Sequence, residues 1–399
     1  MKTEITATEA AKLLGVSMAT LYSYVSRGLL SSHQRPQTRK KLYDLEEVLR
    51  LAARRGDAKH GGHQVGSAVN WGLPLLETSI SHIVNGKLFY RGMEVCKLAD
   101  TWSLEQVACL LWDDQQDDYF LNSPMQAHFP PSVDADLPLL SRALVALASL
   151  TSTSNDNSKL HSSTDFKHAA FLMRQLTAVL LSRELSSAPL HEQLAHTWKC
   201  DNVETDLIRR ILVLLADHEL NASSFAVRCV ASTGASDESA LCAGIAAYSG
   251  DKHGGGSLIV RQYLDGCENH NNLEHYAADF FTRRDPLMCG FGHVLYPKGD
   301  PRASYLLAYL KSFAAKNARL QRGLIACEYA AERLHARPNM DCLLALITWA
   351  FLWPICAPKI LFIVARSSAW LAHAHEQRAS AQLIRPRARY VGRYRDNQE

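Results

Sequence analysis

From Trp71 onward the chain repeats apolar residues at helical spacing and almost never alternates them as a strand would. Leu104–Trp112 sets Val107, Ala108 and Leu111 on one face, and Leu207–Leu215 does the same with Leu207, Ile208, Ile211, Leu212 and Leu215. Strand-like alternation is limited to a small hairpin near Ser79–Tyr90. Ser149–Ser163, rich in Ser, Thr and Asn, reads as an exposed loop. The body is expected to be all-α, and 399 residues at 47% hydrophobic composition can bury large cores in more than one domain. Leu343–Pro358 is nearly all apolar, yet it is shorter than the roughly 20 residues a membrane span needs. Pro354 and Pro358 break it, so it predicts two helices joined by a turn inside a large core. No membrane partner is expected. Ten scattered cysteines without a Cys-x-x-Cys pair read as small core residues in a reducing compartment. With a polar Met1–Glu9, this gives a cytoplasmic expectation.

The first 56 residues form a separate unit. Ala10, Ala11, Leu13 and Leu14 lie at helical spacing, Gly15-Val16-Ser17 turns the chain, and Ser17 can cap a second helix over Met18–Arg27. Gly28 ends that helix, and a basic loop with Arg35, Arg39, Lys40 and Lys41 leads to a third over Leu45–Arg55. Thr8-Glu9-Ala10-Ala11-Lys12-Leu13-Leu14-Gly15-Val16-Ser17 with Thr20-Leu21-Tyr22 resembles the small winged helix-turn-helix domains of the MerR and excisionase type. The formal charge of +3 is too small to imply nucleic acid for the whole chain, but up to Lys59 eleven Lys and Arg stand against six Asp and Glu. That local excess suits DNA phosphates. A packing or dimer module is the competing reading, since a fold does not name its ligand. Residues 57–66 form a glycine- and histidine-rich linker. Its His60 and His63, two histidines in a glycine-rich linker, read as solvated side chains rather than a metal site.

Three strings further on carry chemistry: Lys252-His253-Gly254-Gly255-Gly256, Gly290-Phe291-Gly292-His293 running to Asp300-Pro301-Arg302, and Pro338-Asn339-Met340-Asp341. The glycines after His253 are expected to free backbone amides beside an imidazole suited to donating to a developing oxyanion. Arg302, at a helix start, can clamp a carboxylate. The Gly-x-Gly is no dinucleotide loop, because no strand precedes it and a third glycine is missing. Asp341 precedes an apolar helix and alone would read as an N-cap. With two histidines and an arginine nearby, a base is the better explanation. His218, just past the Leu207–Leu215 face, sits at the core's polar margin. Together these groups equip a site to form a carbanion beside one carbonyl and add it to another.

These strings resemble those of the citrate synthase family, and the resemblance covers nearly everything after the linker. Further matches are Thr78-Ser79-Ile80-Ser81 with Tyr90-Arg91-Gly92, Asp217-His218-Glu219 through Asn221-Ala222-Ser223, Ala365-Arg366 to Trp370-Leu371-Ala372-His373, and Arg385-Pro386-Arg387. The resemblance implies a helical homodimer. Its large domain would cover 67–236 and 345–399, its small catalytic domain 237–344, with a cleft that closes on substrate. It implies Asp341 as base toward acetyl-CoA, His253 on the enol or enolate oxygen and His293 on the ketone of oxaloacetate. His218, Arg302 and Arg366 would hold carboxylates, joined by Arg385 from a partner subunit. Citryl-CoA is then hydrolysed. No metal or resident cofactor is implied, coenzyme A entering as the thioester substrate. Asp251-Lys252 before His253, Gly256-Ser257 after it and Ala369 depart from the family pattern. Two alternatives stand beside citrate synthase: 2-methylcitrate synthase using propionyl-CoA, and a DNA-binding regulator that senses oxaloacetate or acyl-CoA.

Overall fold

The computed structural model describes residues 4–26, 29–34, 41–45, 47–48, 51, 76–114, 119–120, 136–151, 166–386 and 392. The chain divides into two compact units, Met1–Glu77 with Pro386–Glu399, and Thr78–Arg385.

In the first unit β1 (Glu4–Thr6) leads into α1 (Ala7–Leu13), whose start is fixed by a reciprocal bond between Thr6 and Glu9. The Ser17 hydroxyl accepts the Thr20 N–H at 3.2 Å and starts α2 (Met18–Ser26), as its sequence position predicts. Strands β2 (His33–Gln34) and β3 (Lys41–Asp44) complete a three-stranded antiparallel sheet in the order β1-β3-β2. Ile5, Ala10, Ala11, Leu14, Leu21, Leu30, Tyr43 and Val48 close a small core. The linker, Arg35, Arg39 and Lys40, and most of the expected third helix lie outside the described residues.

The second unit opens with the expected hairpin, β4 (Ser81–Val84) on β5 (Lys87–Tyr90), with β6 (Met93–Glu94) on the other edge of β5. Among the described residues the remaining elements are helices: α3 (Val95–Thr101), α4 (Leu104–Trp112), α5 (Leu139–Thr151), α6 (Phe166–Leu181), α7 (Leu190–Trp198) and α8 (Asn202–Leu215). Then follow α9 (Ala222–Ala231), α10 (Asp237–Tyr248), α11 (Asp251–Gly254), α12 (Gly256–Cys267), α13 (Leu273–Phe280), α14 (Pro301–Phe313) and α15 (Ala318–Leu334). The last two are α16 (Met340–Ala350) and α17 (Ala357–Ala379).

The expected loop at Ser149–Ser163 is corrected in part. Ser149–Thr151 belongs to α5, where Leu147 and Leu150 meet the core at helical spacing and the Ser149 hydroxyl donates to the Val145 carbonyl at 2.8 Å. Residues 152–163 lie outside the described residues. The apolar stretch ending at Pro358 is the expected helix pair, α16 and the start of α17. No helix among the described residues is long and apolar enough to cross a membrane. The long α17 is buried on nearly every face and touches α4, α6, α8, α9, α10 and α16, so it is the central post of this unit.

Candidate active site

The C-terminal end of α8 is fixed from two directions. The Tyr90 hydroxyl sits among the carbonyls of Val213 (3.2 Å) and Asp217 (3.1 Å) and accepts the Asp217 N–H at 3.0 Å. On the next turn of chain the Ser81 hydroxyl donates to the Asp217 carboxylate at 2.5 Å and accepts the Glu219 N–H at 3.1 Å. His218 is thus held between two anchored residues. Its Nε2 meets the Tyr296 hydroxyl at 3.0 Å, and its ring lies 5.0 Å from that of His293. Burial, then Arg302 and His293, push its pKa far down, so the ring is neutral.

His253 lies in the short helix α11, and the Gly254 N–H is spent on the Gly250 carbonyl at 2.9 Å. The glycines also permit close packing. A Cβ on Gly254 would stand 2.5 Å from the Tyr248 carbonyl oxygen, and one on Gly256 would stand 2.8 Å from Asp341 Oδ2. The Asp341 carboxylate therefore lies against the bare Cα that opens α12. The His253 Nε2 meets the Ser223 hydroxyl at 3.0 Å, and the ring meets Tyr248 and Phe362 edge-on. Burial and the nearby Arg366 lower its pKa to about 4.

The second and third strings are stapled together. Phe291 pairs with Pro338 as an isolated antiparallel bridge, Gly292 N–H donates to the Arg337 carbonyl at 2.7 Å, and Asn339 N–H donates to the Gly290 carbonyl at 3.0 Å. Gly290 turns at φ +77°, where a Cβ would strike Val260 and the Cys342 backbone. Asn339 caps α16 by accepting the Asp341 N–H at 2.9 Å, and its amide donates to the Gly292 carbonyl at 3.1 Å. Capping therefore belongs to Asn339, which leaves the Asp341 carboxylate for other work. Burial, partly opposed by Arg302, raises its pKa to about 6. His293 Nδ1 accepts the Leu295 N–H at 3.1 Å, which puts the proton of the neutral ring on Nε2. Burial and then Arg302 lower its pKa to about 4.

The three arginines differ. Arg302 is buried in the first turn of α14 and grips Asp300 through Nε (3.1 Å) and Nη2 (2.7 Å), so an internal carboxylate already occupies part of its fork. Arg366, on α17, is buried with Nε on the Leu215 carbonyl at 2.9 Å and its guanidinium 4.7 Å from the Phe362 ring centre. Its Nη1 is buried without a hydrogen-bond partner. Arg385 is exposed past the end of α17, and none of the described site residues bonds to it. The residues not foreseen are Ser223, Tyr248, Tyr296 and Phe362, which surround the histidines. Tyr296 and Ser223 lay inside quoted strings, but only the tertiary fold brings them to His218 and His253. A cavity of about 400 Å³ between α14 and Arg337–Pro338 borders this region and contains none of the histidines or Asp341.

A family model described as the citrate synthase C-terminal domain matches residues 69–387. The chain belongs to the citrate synthase family. A helix-turn-helix domain model matches residues 4–56, a domain that precedes the citrate synthase body. Among curated relatives, a citrate synthase of Mycolicibacterium smegmatis is 29% identical over 79% of this chain and 92% of its own length. The 2-methylcitrate synthase 1 of Corynebacterium glutamicum is 33% identical over 46% of this chain and 49% of its own length. A citrate/2-methylcitrate synthase of Bacillus subtilis is 35% identical over 48% and 52%. The chain thus spans about half the length of the last two relatives. Among solved structures, the Thermoplasma acidophilum citrate synthase, in ternary complex with carboxymethyl coenzyme A and oxaloacetate, superposes with a TM-score of 0.70. It is 22% identical and covers 82% of this chain and 96% of its own. The Pyrobaculum aerophilum citrate synthase gives 0.69 at 23% identity, covering 81% and 91%. At these identities the structural likeness establishes the citrate synthase fold.

Proposed function

We propose that this protein condenses acetyl-CoA with oxaloacetate, giving citrate and CoA. The observation that carries the reading is Asp341, a buried carboxylate with a pKa near 6 set against Gly256 in a site of neutral histidines. A base with a pKa near neutrality removes protons better than an ordinary aspartate and is still ionised at pH 7. Asp341 takes a proton from the thioester methyl, and His253, kept neutral, donates a hydrogen bond to the enolate oxygen. The enolate carbon attacks the ketone of oxaloacetate, whose oxygen is polarised by a hydrogen bond from His293 Nε2–H, and the proton that Asp341 removed is returned to the new alkoxide. Water then cleaves the citryl thioester and releases CoA. The unpartnered Nη1 of Arg366, with His218 and the remainder of the Arg302 fork, suits the carboxylates of a small keto acid. Measuring CoA release with oxaloacetate and either acetyl-CoA or propionyl-CoA tests this. Turnover that disappears in Asp341→Ala supports it, and no turnover with either thioester overturns it.

Propionyl-CoA as the preferred donor, giving 2-methylcitrate, is the finer alternative. The two thioesters differ by one methylene, worth ~1–3 kcal/mol, so the ratio of kcat/KM values decides between them. The first unit favours a separate DNA role, because α2 leaves Tyr22 exposed with the Lys41 ammonium 5.6 Å from its ring centre. Binding of duplex DNA that weakens steeply with salt would support that role, and no binding at low salt would exclude it. Homodimerisation, with Arg385 reaching a partner's site, is part of the same proposal and is checked by solution mass.

A further inference from the structure

We propose that Asp217, acting with His373, is a positioning residue for the keto-acid end of the site. This rests on the citrate synthase reading above. Arg366 and His373 are seven residues apart on α17, two helical turns, and so share one face. Both turn that face to the end of α8: Arg366 Nε donates to the Leu215 carbonyl at 2.9 Å, and His373 Nε2 meets Asp217 Oδ1 at 3.3 Å. Asp217 and His373 are both fully buried.

The protonation pattern follows from the bonds. His373 Nδ1 is buried with no partner, so a second N–H there would be an unpaired buried donor. A proton on Nε2, donating to the Asp217 carboxylate, is the placement these bonds support. The carboxylate's other oxygen takes the Ser81 hydroxyl, and the backbone of Asp217 is held at both N–H and carbonyl by Tyr90. Asp217 thus does two jobs with one side chain. It pins the backbone that delivers His218, and it is the nearby buried carboxylate facing Arg366, while Arg302 has its own in Asp300. Burial alone would raise the Asp217 pKa, but His373, Arg366 and Ser81 together hold it below the usual carboxylate range. His373 fixes the orientation of Asp217 across the α8–α17 contact.

A role confined to folding would weaken both substrates' parameters together, whereas a positioning role separates them. In Asp217→Ala we expect the oxaloacetate KM to rise about tenfold or more, because small misplacements of binding groups are costly. The thioester KM should stay within about twofold of wild type. Asp217→Asn, which can still accept from His373 and bond Ser81, should recover most of the loss. Equal losses for both substrates, or no recovery in Asp217→Asn, would overturn the proposal. If Asp217→Ala does not fold, His373→Ala carries the same expectation and the same refutation. If the wild-type protein shows no turnover, the activity reading fails instead. Calorimetric oxaloacetate binding by wild type, Asp217→Asn and His373→Ala then decides the positioning role by itself, unchanged affinity across the three refuting it.

Discussion

Asp341 shows how burial shifts an ordinary residue type toward the pKa of the base proposed above. Its backbone N–H is satisfied by Asn339, its carboxylate is buried against Gly256, and its pKa rises to about 6 from an ordinary value of 3.8. The raised value means the folded protein favours the protonated form. Ionisation therefore costs folding free energy above pH 6, and the cost fades as pH falls toward 4. Asp341→Asn is expected to stabilise the protein at pH 8 by about 1–3 kcal/mol in denaturant melts, with the gain vanishing toward pH 4. The same variant should lose about 100- to 10,000-fold in turnover. For wild type, kcat/KM should fall as pH drops through about 6, since the base must be ionised. His253, His293, Arg302 and Asp341 were legible as candidates because the chemistry needs those residue types beside glycines and helix starts. The Asp217–His373 pair was not, because its members are 156 residues apart and look like core polar residues until the fold joins them.

At the scale of elements, the chain's punctuation was readable and its packing was not. Ser17 announces α2, and Pro354 falls between α16 and α17 while Pro358 sits in the first turn of α17, because caps and proline limits act locally. Of the glycines after His253, Gly254 ends one helix and Gly256 opens the next. A run of glycines signals either exposed amides or close approach, and only neighbouring elements decide which. Asn339 serves two elements, capping α16 and holding the Gly292 carbonyl. Asn339→Ala should cost about 1–2 kcal/mol of stability for the cap alone. It should also reduce kcat, because the same side chain registers the His293 loop against Asp341. Thermal melts and steady-state rates together check this. A stability loss with unchanged kcat would show that the second bond is idle.

At the scale of the molecule, two hydrophobic cores share no residue, one ending at Leu51 among its packed members and the other beginning at Ile80. The helical class of the body was plain from its periodicity. Which helix would be central was hidden, because α16 and α17 are both buried along most of their length and only the contacts show that α17 touches six other helices. A protein lacking residues 1–76 is expected to fold and to keep kcat within about twofold, as the larger core is complete without them. Loss of all turnover in a folded truncation would refute this independence.

The bridge between Phe291 and Pro338 also makes 292–337 a closed excursion, a loop whose two ends are sewn together at the neck. Continuity of the covalent chain at its far tip is then dispensable for keeping His293 beside Asp341. The turn at Ala315–Lys316, exposed between α14 and α15, is a place where the polypeptide can be nicked or given new termini. A circular permutant opened there should retain its turnover, and its failure would show that the neck does not hold by itself.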